Sequence, residues 1–171
     1  TRPVGSPVTH IYVAGIAMTV FGRHPERSLE DLAGEALIRA LADAGCTAPQ
    51  IGVAYYSGMT NGTLQGQISI PGQVIFSKIG IEGIPVYNVE NACASGSSAF
   101  NLAVQSLKAG TADVALAIGA EKMNIPDKAK AFAIFEGGWD VSRAEQNVAT
   151  LMKMGEGVTP PPGSTSDRPY S

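Results

Sequence analysis

The run "PVYNVENACASGSSAFNLAVQSLKAGTADVALAIGAE", residues 85–121, constrains the fold more than any other part of the chain. "PVYNVENA", residues 85–92, predicts a strand that delivers Cys93. The small residues Ala94, Ser95, Gly96, Ser97 and Ser98 follow and let the backbone turn sharply. Ala99, Phe100, Leu102, Ala103, Val104 and Leu107 then recur at helical spacing, with Asn101, Gln105 and Lys108 on the opposite side. Gly110 stops this helix, and residues 113–121 form a near-continuous apolar strand. Strands that alternate with helices, apolar on both faces, predict an α/β layered fold: a sheet with helices on either side.

The same alternation runs through the earlier part. Residues 8–17, "VTHIYVAGIA", read as a buried strand. Ser28 and Asp31 make a capping-box-like pair at the start of a helix whose apolar positions run from Leu29 to Leu41; Glu35 and Arg39 pair across one turn and Gly45 ends it. Residues 51–57 read as a second strand, and residues 67–79 as a short helix closed by Gly80. "GMTNGTLQGQ", residues 58–67, is a glycine-rich turn that lacks both the P-loop pattern and G-x-G-x-x-G. Residues 1–124 thus form one α/β domain, and residues 125–171 are an excursion, partly helical and partly loop.

Composition narrows the function classes. A chain of 171 residues, 44% hydrophobic, supports one sizeable core. A net charge of −3 without a basic patch argues against a nucleic-acid binder. No apolar run has the length to span a bilayer, and no signal peptide is evident. Two cysteines, Cys46 and Cys93, make no disulfide framework, so a cytoplasmic protein is expected.

Cys93 is the residue with chemistry in its surroundings. A thiol between a strand and a helix N-terminus meets unpaired backbone N–H groups and the positive end of the helix dipole, which favour the thiolate. Small neighbours let a substrate approach the sulfur. The turn of Cys93, Ala94 and Gly96 can serve acyl transfer, with the cysteine's own N–H on the oxyanion. The alternative is a small packed thiol in a tight turn. Cys46, after Gly45 at a helix end, has no such context and reads as inert.

Residues 88–124 resemble the nucleophile segment of the thiolase superfamily. The turn Asn91-Ala92-Cys93-Ala94-Ser95-Gly96, the helix ending before Gly110, the apolar strand and Gly119-Ala120-Glu121-Lys122-Met123 carry the resemblance. It is nearest to sterol-carrier-protein-type and acetyl-CoA acetyltransferase-like thiolases, and covers residues 8–124 well; the "RPYS" end is similar to that family's loop domain. The resemblance implies the N-terminal half of a fold with helices on both faces of a mixed sheet, plus the start of the loop domain. It implies an acyl-CoA C-acyltransferase in which Cys93 takes the acyl group of a 3-ketoacyl-CoA in thiolytic cleavage or the reverse Claisen condensation. CoA is then acyl carrier and substrate, with no other cofactor and no metal. A homodimer or dimer of dimers is implied, paired through the strand leading to Cys93 and with the glycine-rich loop near the interface. A zinc-ribbon/OB-fold partner protein is a further implied partner; membrane and nucleic acid are not. A non-catalytic scaffold subunit and a ketosynthase-type condensing enzyme are the alternatives.

The family's catalytic histidine and second acid/base have no counterpart in these residues. His10 lies in the first predicted strand and His24 in a polar turn, neither in a thiolase histidine motif. Glu90 and Glu121 read as structural or interfacial. No residue selects a substrate; Phe132, Phe135 and Trp139 are candidate apolar lining, or pack on their own segment. The chain as it stands is expected to need a C-terminal half for turnover.

Overall fold

The structure, a computed structural model, describes residues 10–159. The chain divides between Ala131 and Phe132 into two compact units. In the first unit three strands form the sheet: β1 (Val53–Ser57), β2 (Val86–Val89) and β3 (Ala115–Gly119). Their order is β2–β1–β3 and both pairings are parallel, with Tyr55 opposite Tyr87 on one side and Ala117 on the other. No antiparallel strand joins them among the described residues, so the mixed character expected of the sheet is not seen there. The parallel direction follows from connectivity. The helix α2 (Pro71–Lys78) carries the chain from β1 to β2, and α3 (Ser95–Ala109) carries it from β2 to β3.

Alternation along β1 sorts the core into two layers. Ala54 and Tyr56 face α2 and the preceding helix, α1 (Leu29–Ala44), packing with Leu29, Ala33, Leu37, Ile75 and Phe76. Val53 and Tyr55 face the other way, onto Ala99 and Ala103 of α3. All five β1 residues are therefore buried, as a central strand covered on both sides requires.

The local signals in the sequence act as expected. Asp31 N–H donates to Ser28 Oγ at 3.1 Å, and Ser28 N–H donates to Asp31 Oδ2 at 2.8 Å, closing the capping box. These bonds hold the Asp31 carboxyl below the usual carboxylate range, so this contribution is present above pH ~4 and fades as acid protonates the group. Gly45 and Gly110 end α1 and α3 in the left-handed conformation, φ 64 and 72. Arg39 Nη1 lies 3.1 Å from Glu35 Oε1, and Arg27 Nη1 is 2.7 Å from its other oxygen.

The predicted first strand is the main correction. Residues 8 and 9 lie outside the described residues, and residues 10–17 form no strand. The segment lies against α1: Ile16 N–H donates to Asp43 Oδ2 at 2.9 Å, and Arg39 Nη1 donates to Met18 O at 2.9 Å. A Cβ at Gly15 would come within 2.3 Å of Ala40 O, so only glycine permits this approach. Val13 and Ile16 are exposed rather than buried. A groove of about 470 Å³ runs between residues 11–19 and β3, lined by apolar side chains of α1 and α3. The outer edge of β3 has no ladder partner among the described residues.

Two further boundaries differ. The predicted helix 67–79 begins only at Pro71, and the preceding Asn61–Gln65 forms a π-helical turn instead of a flexible loop. The second unit, by itself, holds α4 (Ala144–Met154) and short 3₁₀ turns at Ile134–Gly138 and Val141–Arg143. None of its described residues is buried. Phe132 and Phe135 pack on each other, ring centroids 6.4 Å apart, and stay more than half exposed. The "RPYS" end lies outside the described residues.

Candidate active site

β2 ends at Val89 and α3 begins at Ser95. Between them Ala92–Ala94 is a single 3₁₀ turn that leaves Cys93 exposed. Ala92 is left-handed, φ 46, which costs a residue with a Cβ about 1–2 kcal/mol. A short hydrogen-bond circuit holds it. Ala92 N–H donates to Glu90 Oε1 at 2.7 Å, and Ala92 O accepts from Ser95 Oγ at 2.7 Å. The same Ser95 Oγ accepts Asn91 N–H at 2.8 Å, while Asn91 Nδ2 donates to Ser98 Oγ at 2.9 Å. Ser95 is buried. Ala94 N–H donates to Asn91 O at 2.9 Å and so closes the turn. The Cys93 amide donates to no acceptor among the described residues.

Beneath this turn lies the exit of β1. A Cβ on Gly96 would sit 4.0 Å from Ser57 Oγ, and one on Gly119 only 2.6 Å away. Ser57 therefore lies between the first turn of α3 and the end of β3, with its hydroxyl on Ile118 O at 3.2 Å. The stretch from Gly119 to Met123 ties the neighbouring loops together. Tyr56 OH reaches Asn61 Oδ1 at 2.9 Å and Ala120 O at 3.0 Å. Burial pushes the Tyr56 phenol well above its ordinary range, and the Glu121 charge adds to this. Glu121 accepts from Met59 N–H at 2.5 Å, from Thr60 N–H at 3.3 Å and from the Thr60 hydroxyl. Gln65 Nε2 donates to Lys122 O at 2.9 Å, and Lys122 Nζ donates to Pro25 O at 3.0 Å.

A cleft of about 540 Å³ opens at the carboxyl ends of β1 and β2, lined by Tyr56, Asn61, Thr63, Ile70, Asn88 and Glu90 among others. Ile70 in its wall is left-handed, φ 49, an uncommon state for a β-branched residue. Cys93 is not part of this lining; it stands three residues beyond Glu90.

The remaining candidates do not converge on the thiol. His10 is exposed and stacks on Tyr12, centroids 6.4 Å apart. His24 Nε2 lies 2.8 Å from Val20 O, which places a proton on that nitrogen. No hydrogen bond joins either histidine to Cys93 among the described residues. Glu90 and Glu121 each hold backbone amides, a structural role. Cys46 is half buried, its Sγ 3.6 Å from Ala44 O. Trp139, Phe132 and Phe135 lie in the second unit. Sequence reasoning passed over Ser57, Tyr56 and Ser95. The only cue to Ser95 was its place two residues after the cysteine; Ser57 binds Ile118 O, 61 residues away, and Tyr56, besides Asn61, binds Ala120 O, 64 residues away, contacts with no local cue.

Comparison with known proteins agrees with this geometry. The family described as "Thiolase, N-terminal domain" matches residues 11–157. Over 117 residues the chain is 38% identical to sterol carrier protein 2 of Homo sapiens, covering 67% of this chain and 20% of that protein. It is 37% identical over 113 residues to benzoylsuccinyl-CoA thiolase subunit BbsB of Thauera aromatica, covering 65% and 28%. The fold is similar to part of that of a variant of OleA from Xanthomonas campestris, with a TM-score of 0.54 at 20% identity over 64% of this chain and 32% of that one. The matched region spans less than a third of the length of each of these proteins. No helix among the described residues is long and apolar enough to cross a membrane. Motif, sheet and turn agree with the family match: the chain belongs to the thiolase family, as an N-terminal domain.

Proposed function

We propose that this chain carries the nucleophile of a thiolase-type acyl-CoA C-acyltransferase, and that the nucleophile is Cys93. The observation that supports it most is the Cys93 turn: an exposed thiol before α3, with an amide that has no acceptor among the described residues. Its Sγ attacks the 3-keto carbon of a 3-ketoacyl-CoA, forming an S–C bond. The Cα–Cβ bond then breaks, and its electron pair leaves on the α-carbon, which takes a proton to give a shorter acyl-CoA. The thiol of CoA attacks the acyl-Cys93 thioester and regenerates the cysteine. The Cys93 N–H is the oxyanion donor this chain offers, and Ala94 N–H is engaged in the turn. Groups other than His10 and His24 act as base and proton donor.

A homodimer is part of the reading. β2 is an edge strand whose Tyr87 is 52% exposed, and an isolated edge of this kind is a template for pairing with a second copy. The name of the Thauera relative, a thiolase subunit, supports assembly with a further subunit; a zinc-ribbon/OB-fold protein is the kind of partner that the resemblance implies.

Iodoacetamide tests the site directly. In the folded protein it alkylates Cys93 at least about ten times faster than Cys46, read by peptide mass, because activated thiols react selectively. Equal rates at the two cysteines would remove the basis of the reading.

A further inference from the structure

We propose that Ser95 and Glu90 are positioning residues that hold Ala92 in its left-handed conformation and thereby aim Cys93 and its amide at an acyl carbonyl. The inference rests on the acyl-transfer reading above.

Ala92 is one of two described residues other than glycine with positive φ, and it immediately precedes the candidate nucleophile. A left-handed alanine persists only where its surroundings over-determine it. Here both of its polar groups are held. Its N–H is on the Glu90 carboxylate at 2.7 Å, and its carbonyl is on the Ser95 hydroxyl at 2.7 Å. Ser95 also takes Asn91 N–H at 2.8 Å, so one buried hydroxyl bridges the residues on the two sides of the Asn91–Ala92 peptide. Lone turn preference does not explain this: with alanine at position 92 the conformation depends on the bonds, whereas glycine would adopt it freely. Rotating Ala92 back toward negative φ would swing the next peptide, and with it the Cys93 amide and Cα–Cβ direction. Glu90 is exposed, so its bond is the weaker of the two; Ser95, buried beneath the turn, is the main hold.

The test separates aim from access. With p-nitrophenyl acetate, Sγ of Cys93 forms a bond to the acetyl carbon. The C–O bond breaks, nitrophenolate leaves with the electron pair, and the thiol proton goes to solvent. This step needs the oxyanion donor, whereas displacement of iodide from iodoacetamide does not. Ser95→Ala lowers the acylation rate about ten-fold, the effect of a hydrogen bond to the developing charge losing its geometry. Iodoacetamide alkylation changes less than about two-fold, since the thiol is exposed already. Ser95→Thr, which keeps the hydroxyl, retains most of the acylation. Adding Ala92→Gly to Ser95→Ala restores most of the lost rate, because glycine adopts the left-handed state without a clamp. Equal losses in both reactions, or no recovery on adding Ala92→Gly, would overturn the proposal. NMR scalar couplings that report φ of Ala92 decide the clamp separately. A left-handed Ala92 that persists in Ser95→Ala overturns it, even if the wild-type protein is never acylated and the acyl-transfer reading itself fails.

Discussion

Replacing Cys93 by alanine lowers CoA-dependent cleavage of acetoacetyl-CoA by the intact protein at least about 10³-fold. No other group in the described residues stands ready to replace the thiol: Cys46 is half buried at the end of α1, and neither histidine is hydrogen-bonded to it. The same substitution leaves the urea midpoint almost unchanged, within about 0.5 kcal/mol, because the Cys93 side chain is exposed and makes no hydrogen bond among the described residues. The pairing of a large loss of turnover with an unchanged fold is the signature of a nucleophile. A small loss of turnover would favour the scaffold reading, in which the thiolase-like chain contributes surface rather than chemistry. Ser95→Ala occupies the space between these extremes, since it spares the thiol and disturbs only its aim.

The largest stability effect falls at Gly72. A Cβ there would lie 2.7 Å from Tyr56 Cβ and 2.8 Å from Asn88 Oδ1. Neither atom can yield cheaply. Tyr56 is fully buried at the centre of the sheet, with its ring edge-on to Phe76 at 6.4 Å. Asn88 accepts Gly72 N–H at 2.7 Å and donates to Gln73 Oε1 at 2.7 Å, which docks α2 on β2. Gly72→Ala therefore costs about 2–4 kcal/mol, chiefly from overpacking against Tyr56, with the part-buried hydrogen bond to Asn88 lost as well. Urea denaturation measures it; a shift below about 1 kcal/mol would mean that α2 slides away without loss. Tyr56 and Asn88 also line the cleft, so the variant disturbs its wall even where the protein still folds.

These two positions also show what can be read in a sequence and what cannot. The Cys93 turn, the cap at Ser28, the stops at Gly45 and Gly110 and the helix between β2 and β3 were legible because each is a local event. A cap and its amide lie within three residues, and a helical stripe repeats within one turn or two. The strand expected at residues 8–17 failed for the opposite reason. β-branched apolar residues have strand propensity, yet a strand exists only beside another edge. In this chain the segment meets α1 and a groove instead, with its Ile16 amide on Asp43. The Asn61–Gln65 turn was missed because it is set by contacts across the chain. Glu121 reaches Met59 and Thr60 from 61 or 62 residues away, and Tyr56 fixes Asn61 through its hydroxyl. In "GMTNGTLQGQ" only the glycines spoke, and they indicated a flexible loop. Glu121 was read from its place in a family-like stretch; that its carboxylate clips the exit of β1 to the exit of β3 is a property of the fold. Likewise the small residues after Cys93 indicated a tight turn, but not that Ser95 would hold the one strained residue in it.

The central claim is that Cys93 accepts an acyl group. It is tested most directly by incubating the intact protein with acetyl-CoA, stopping the reaction in acid and reading the peptide masses. The account predicts a single acetyl group on the peptide that contains Cys93, absent from the Cys46 peptide, lost on addition of free CoA and absent in Cys93→Ala. Acetylation of neither cysteine, or of both to the same extent, would contradict it.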